Sequence, residues 1–131
     1  MHPFVPLLLL TAVQPHAADG DETLLSAEFG RCMDSGEAAR GVHPAMMDCL
    51  RAEYRRQDLR LNRSYAAAMR RLRPAAQARL RTLQRAWLGT RDRACQAAFE
   101  ESGGGQASDL AYSSCRAEQT ARRTRWLQRY R

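Results

Sequence analysis

The stretch HPAMMDCLRAEYRRQDLRLNRSYAAAMRRLRPAAQARLRTLQRAWLGTRDRACQAAF, residues 43–99, decides the fold. From His43 to about Leu72 the residues Met47, Leu50, Tyr54, Asp58, Leu61, Tyr65, Ala68 and Leu72 recur at steps of three or four, the spacing of one helix face. Pro44 suits a first turn, where its missing N–H costs nothing. The stripe stops at Arg73-Pro74, and because a residue preceding proline avoids helical dihedrals the chain turns there. A second stripe follows through Ala76, Leu80, Leu83, Trp87, Arg91, Ala94 and Ala98, with Pro74 near its first position. Two such helices joined by a short turn make an antiparallel hairpin. Reflection about Arg73-Pro74 brings Asp58 within two residues of register with Arg91. A charge in a core stripe needs a partner to be tolerated, so Asp58 and Arg91 are expected to form an inter-helix ion pair that fixes the register.

Downstream, Ser102-Gly103-Gly104-Gly105-Gln106 reads as a loop on composition. A third helix is expected from about Asp109, placed as its cap, to the end, with Tyr112, Cys115, Gln119, Arg123, Trp126 and Tyr130 along one side. Upstream, Thr23 to Phe29 has the makings of a short helix, followed by a glycine-containing stretch from Ser35 to Gly41. No alternating pattern calls for a strand. The expected fold is all-α: a long antiparallel helical hairpin, a packed C-terminal helix and a short N-terminal helix, stapled by disulfides.

The staples are Cys32, Cys49, Cys95 and Cys115, an even set in a short chain and without a CxxC spacing. Pairing neighbours closes loops of 17 and 20 residues, each worth about 3 kcal/mol through the entropy of the unfolded chain. The main rival joins Cys49 to Cys95 across the hairpin. A disulfide framework fits export, and so does the apolar run from Phe4 to Val13, which has the length of a signal-peptide core and is too short to span a bilayer. Cleavage after Gly20 leaves the small residues Ala18 and Gly20 at the two positions a signal peptidase reads, so residues 1–20 are expected to be a signal peptide and residues 21–131 the mature domain. The residues before Cys32, Phe29-Gly30-Arg31, do not fit lipid attachment. The expected location is the periplasm or the medium.

The chain of 131 residues carries 21 basic and 14 acidic side chains, a formal charge of +7, and every basic one is arginine. The charge is uneven. Residues 1–50 hold two arginines against seven acids, and residues 51–131 hold 19 against seven. Arginine and aromatic residues on helix faces suggest nucleic acid, but export argues against it, and no nucleic acid is expected as a partner. Anionic envelope surfaces remain, with Arg122, Arg125 and Arg129 on the last helix as the candidate anion-binding residues.

A mature chain with one histidine, His43, and no lysine excludes a multi-histidine zinc site, a lysine Schiff base and a P-loop. No nucleophile elbow, zincin or EF-hand motif is present. Glu53 with Asp58, or Glu100 with Glu101, could be drawn as a glycosidase pair, but nothing in their spacing sets the geometry. Catalytic residues, cofactors and metals are therefore not expected.

The pattern Cys49, Asp58, Leu61-Asn62, Tyr65, Leu72, Leu80, Gln84, Trp87, Arg91-Asp92, Cys95, Cys115, Thr120, Arg123, Leu127 resembles the lysozyme inhibitor LprI-like N-terminal domain family of secreted bacterial proteins, from about Cys32 to Leu127. Its most specific pieces are L-N-x-x-Y, from Leu61 to Tyr65, and Q-x-x-W-x-x-x-R-D-x-x-C, from Gln84 to Cys95. The resemblance implies an exported, non-catalytic helical domain with disulfides, and a lysozyme or other cell-wall hydrolase as partner. An envelope-associated structural or anion-binding module is the alternative. A net charge of +7 repels a basic lysozyme at long range. The acidic lead segment, with Asp21, Glu22, Glu28, Asp34 and Glu37, offers a local counter-patch.

Overall fold

The computed structural model describes residues 24–131; the expected signal peptide, residues 1–20, lies outside them. Among the described residues every regular element is a helix: α1 (Ala27–Met33), α2 (Gly36–Ala39), α3 (His43–Arg71), α4 (Pro74–Glu101) and α5 (Gly105–Arg129). The helices α3 and α4 begin where the punctuation puts them. Both α3 and α4 carry proline in their first turn, and the α3–α4 connection is only Leu72-Arg73.

Two boundaries differ from expectation. The glycine loop shrinks to Ser102-Gly103-Gly104, and α5 starts at Gly105, four residues before Asp109, which therefore does not cap it. Gly103, Gly104 and Gly105 have φ of +83°, +95° and +61°, dihedrals that a side chain rarely tolerates and that let α4 reverse into α5 within three residues. The end of this turn is tied by Ser108, whose buried hydroxyl donates to the Phe99 carbonyl at 2.7 Å and accepts from Gly104 N–H at 2.8 Å. At the other end of the chain α1 begins at Ala27 rather than Thr23, because the Ser26 hydroxyl caps it by accepting from Phe29 N–H. The stretch after it contains the additional short helix α2.

The three long helices run up, down and up, but they do not form a two-helix hairpin with a third helix laid over it. α5 packs against both, most closely against α3 and next against α4, while the backbones of α3 and α4 stay further apart and meet through side chains. Small buried side chains on α5, Ala117, Thr120, Ala121 and Thr124, permit that approach. The hydroxyls of Thr120 and Thr124 donate to the carbonyls of Arg116 and Thr120 within the helix, so they are buried without loss. Leu61, Ala68, Leu80 and Leu127 form the apolar core, with Tyr65, Met69, Leu72, Trp87, Trp126 and Tyr130 around it.

This arrangement rotates α4 relative to the expected stripe. Leu83 is 44% exposed, and the inward line runs Leu80, Gln84, Trp87, Arg91, Cys95, with Gln84 accepting from Arg123 on α5 at 2.9 Å. The disulfides join sequence neighbours: Cys32–Cys49 ties α1 to α3, and Cys95–Cys115 ties α4 to α5. The Cys49–Cys95 alternative is thereby excluded. Among the described residues no helix is long and apolar enough to cross a membrane.

Candidate functional site

The Asp58–Arg91 pair does not form. Arg91 takes other partners: the neighbouring Asp92 at 3.0 Å and, across to α3, the Tyr54 hydroxyl at 3.4 Å, with its guanidinium 5.2 Å from the Trp87 ring. Asp58 stays half-buried and accepts from Asn62 Nδ2 at 3.5 Å, one turn along its own helix.

Arg91 belongs to a larger file in which cations and rings alternate along the meeting line of α3, α4 and α5. Arg116 lies 5.8 Å from the Tyr112 ring and 4.3 Å from Tyr54. Arg91 follows, at 6.0 Å from Tyr54 and 5.2 Å from Trp87. Arg123 then sits 5.4 Å from Trp87 and 3.7 Å from Trp126, which in turn packs on Tyr130 at 4.7 Å. Guanidinium is weakly hydrated and stacks on aromatic faces, so arginine is the cation that tolerates such a seam. Burial pushes the Arg123 pKa down from its ordinary value, with Tyr130 opposing. Trp87 and Trp126 thus serve the core. Arg116 was absent from the expected stripe, although its spacing from Tyr112 on α5 and the aromatic positions on α3 carried the signal.

Glu53 is a second residue whose role was not legible. It is fully buried, yet its carboxylate accepts from Ser26 N–H at 2.8 Å, from the Ser26 hydroxyl at 2.5 Å, from Gln57 Nε2 at 2.6 Å and from Arg56 Nε at 2.9 Å. Burial pushes its pKa up, but these donors outweigh that and hold it below the ordinary 4.5. Every oxygen is engaged in anchoring α1 to α3, so Glu53 is a structural anion. The Glu53–Asp58 pairing drawn from sequence has no catalytic geometry.

A groove of about 290 Å³ opens between α3 and α4. Asp58, Asn62 and Tyr65 line it from α3, and Arg81, Gln84, Arg85 and Leu88 from α4. Leu88 is 39% exposed, and Arg81 and Arg85 are exposed with no ion pair or hydrogen bond among the described residues. The groove therefore presents free guanidiniums, amides and one carboxylate around an apolar strip. Arg122 and Arg129 are exposed, while Arg125 is half-buried and engaged. Among the described residues no cluster of histidine, cysteine and carboxylate side chains suits a metal.

The residues of the sequence pattern sort by task in this geometry. Cys49, Cys95 and Cys115 are in disulfides; Leu61, Leu80, Thr120 and Leu127 are buried; Trp87, Arg91, Asp92 and Arg123 belong to the cation–aromatic file. Asp58, Asn62, Tyr65 and Gln84 converge on the open groove. No curated protein and no solved structure matches the chain. The family model described as Lysozyme inhibitor LprI matches residues 32–127, from the first disulfide cysteine to the last buried leucine of α5, and the chain belongs to that family.

Proposed function

We propose that the protein is an exported, non-catalytic binding protein that inhibits lysozyme or another cell-wall hydrolase by covering its substrate cleft, with the α3–α4 groove and its rim as the contact face. The family to which the chain belongs supplies the enzyme class. One observation carries the choice of face: the pattern residues Asp58, Asn62, Tyr65 and Gln84, drawn from two helices, surface together beside unpaired Arg81 and Arg85.

The chemistry meets the charge objection. Most glycoside hydrolases hold a pair of carboxylates in the cleft, a local negative site even on a basic protein. Arg81 and Arg85 offer guanidiniums whose planar fork matches carboxylates, and Leu88 supplies apolar contact beside them. Two disulfides and the absence of a membrane-crossing helix among the described residues fit a periplasmic or secreted domain.

Titration of the purified protein against lysozyme acting on cell walls tests the reading. Loss of hydrolysis at stoichiometric protein, abolished by Arg85→Glu with an unchanged melting midpoint, is the expected result. Full activity at micromolar excess removes lysozyme, and the same result across a panel of peptidoglycan hydrolases removes the class.

A further inference from the structure

A pocket of about 190 Å³ between α3 and α5 shares no lining residue with the α3–α4 groove. Its lining residues include three arginines, Arg51, Arg55 and Arg116, and no carboxylate. Arg51 and Arg55 are one turn apart on α3, where like charges repel. Of the three, only Arg51 has a carboxylate partner among the described residues, Asp48 at 2.5 Å, outside the pocket. Arg55 has no hydrogen bond or ion pair among the described residues. Arg116 is held by the Tyr54 hydroxyl at 2.7 Å and by the Tyr54 ring, and its Nε is buried without an acceptor.

The hydroxyls point the same way. Tyr54 Oη accepts from Arg116 Nη2 at 2.7 Å and from Arg91 Nη1 at 3.4 Å. With both lone pairs facing cations, its own proton is left to donate, and no acceptor for it occurs among the described residues. Ser113 and Tyr112, also on the wall, likewise have no hydrogen-bond acceptor there. Leu50 adds an apolar wall. The polar side chains lining the pocket thus offer donors and positive charge; Arg116, Tyr54 and Tyr112 are pre-positioned by the cation–aromatic file, and no lining residue is a carboxylate.

We propose that this pocket binds a phosphate group. A carboxylate has two oxygens to share, whereas the Arg55 and Arg116 guanidiniums, neither with a carboxylate partner, and three hydroxyls match the larger acceptor set and higher charge of a phosphate. Inorganic phosphate titrated into the full chain, followed by amide and arginine side-chain NMR shifts, is the test. Saturable shifts are expected at Tyr54, Ser113 and Arg116, with acetate far weaker. Arg55→Gln, at an exposed position with no partner to lose, is expected to weaken binding about tenfold, and Ser113→Ala a few-fold. Arg129→Gln, remote on the last turn of α5, changes it less than about twofold.

Vesicles of phosphatidylglycerol separate two sources of the group. Vesicle binding that falls with Arg55→Gln and with added phosphate assigns it to a lipid headgroup; saturable phosphate binding without vesicle binding assigns it to a soluble phosphate. Acetate binding equal to phosphate, shifts that do not saturate, or an equal loss from Arg129→Gln overturns the proposal.

Discussion

The two seams of α3 differ in kind. Against α5 it packs closely over alanines and threonines, apart from the pocket beside Arg55 and Arg116, while against α4 it lines a groove with polar side chains. Neither disulfide crosses the open seam: one ties α1 to α3 and the other α4 to α5. The difference teaches where stability is kept in so small a domain and, on the proposed function, where a partner would be met. The closed seam and its staples hold the fold, and residues on the open seam are free to be chosen for a partner.

The largest effect that would sharpen this division comes from the staple beside the closed seam. Replacing both Cys95 and Cys115 with serine is expected to cost about 3 kcal/mol, read as a lowered urea midpoint. A loss under about 1 kcal/mol would mean that α5 is held by packing alone.

Glu53→Gln is expected to cost about 2 to 3 kcal/mol, since it leaves Arg56 without its counter-charge and weakens the bonds that anchor Ser26. Because the Glu53 pKa is depressed below 4.5 on folding, its stabilisation is complete above that value and is lost as pH falls through the folded pKa. Urea midpoints taken from pH 7 to pH 3 should therefore drop more steeply for the native chain than for Glu53→Gln. Parallel curves would show that the carboxylate contributes nothing through its charge.

Ala117→Leu, placing a bulky side chain where none is exposed, should cost about 1 to 3 kcal/mol by forcing α5 away from its neighbours. Tolerance of that change would break the comparison at its root. At the small end, Asp58→Ala and Arg85→Glu on the open seam should each shift stability by less than about 0.5 kcal/mol. An Asp58→Ala loss of several kcal/mol would restore the inter-helix ion pair as a structural element. Arg85→Glu is expected to act on hydrolase inhibition alone.

Much of the fold was legible. The three-four spacing and the prolines at 44 and 74 placed α3 and α4 to within a residue, because a long amphipathic stripe and a missing N–H are local constraints. Side-chain burial was legible for Leu50, Leu61, Ala68 and Leu80 but not for Leu83, since a stripe read one helix at a time does not reveal which neighbour it faces. The groove was legible only in pieces. Asn62, Tyr65 and Gln84 stood out as pattern residues, while Arg81 and Arg85 looked like any solvated arginine until α4 brought them beside α3. Glu53 and Arg116 were missed because their partners, Ser26 and Tyr54, lie 27 and 62 residues away.

By itself the sequence determined an all-helical chain with its turns at Arg73-Pro74 and the glycine run, four cysteines suited to staples, and a family pattern from Cys32 to Leu127. Those are properties of local backbone preference, side-chain period and residue type. Only the tertiary structure decided that α5 packs most closely against α3, that Arg91 turns to Asp92 and Tyr54 rather than Asp58, and that Cys49 pairs with Cys32. The physical reason is the size of the side chains on α5. Alanine and threonine at its buried positions let it approach closer to α3 than α4 does, which brings Arg116 onto Tyr54 and the Cys115 side of α5 beside α4.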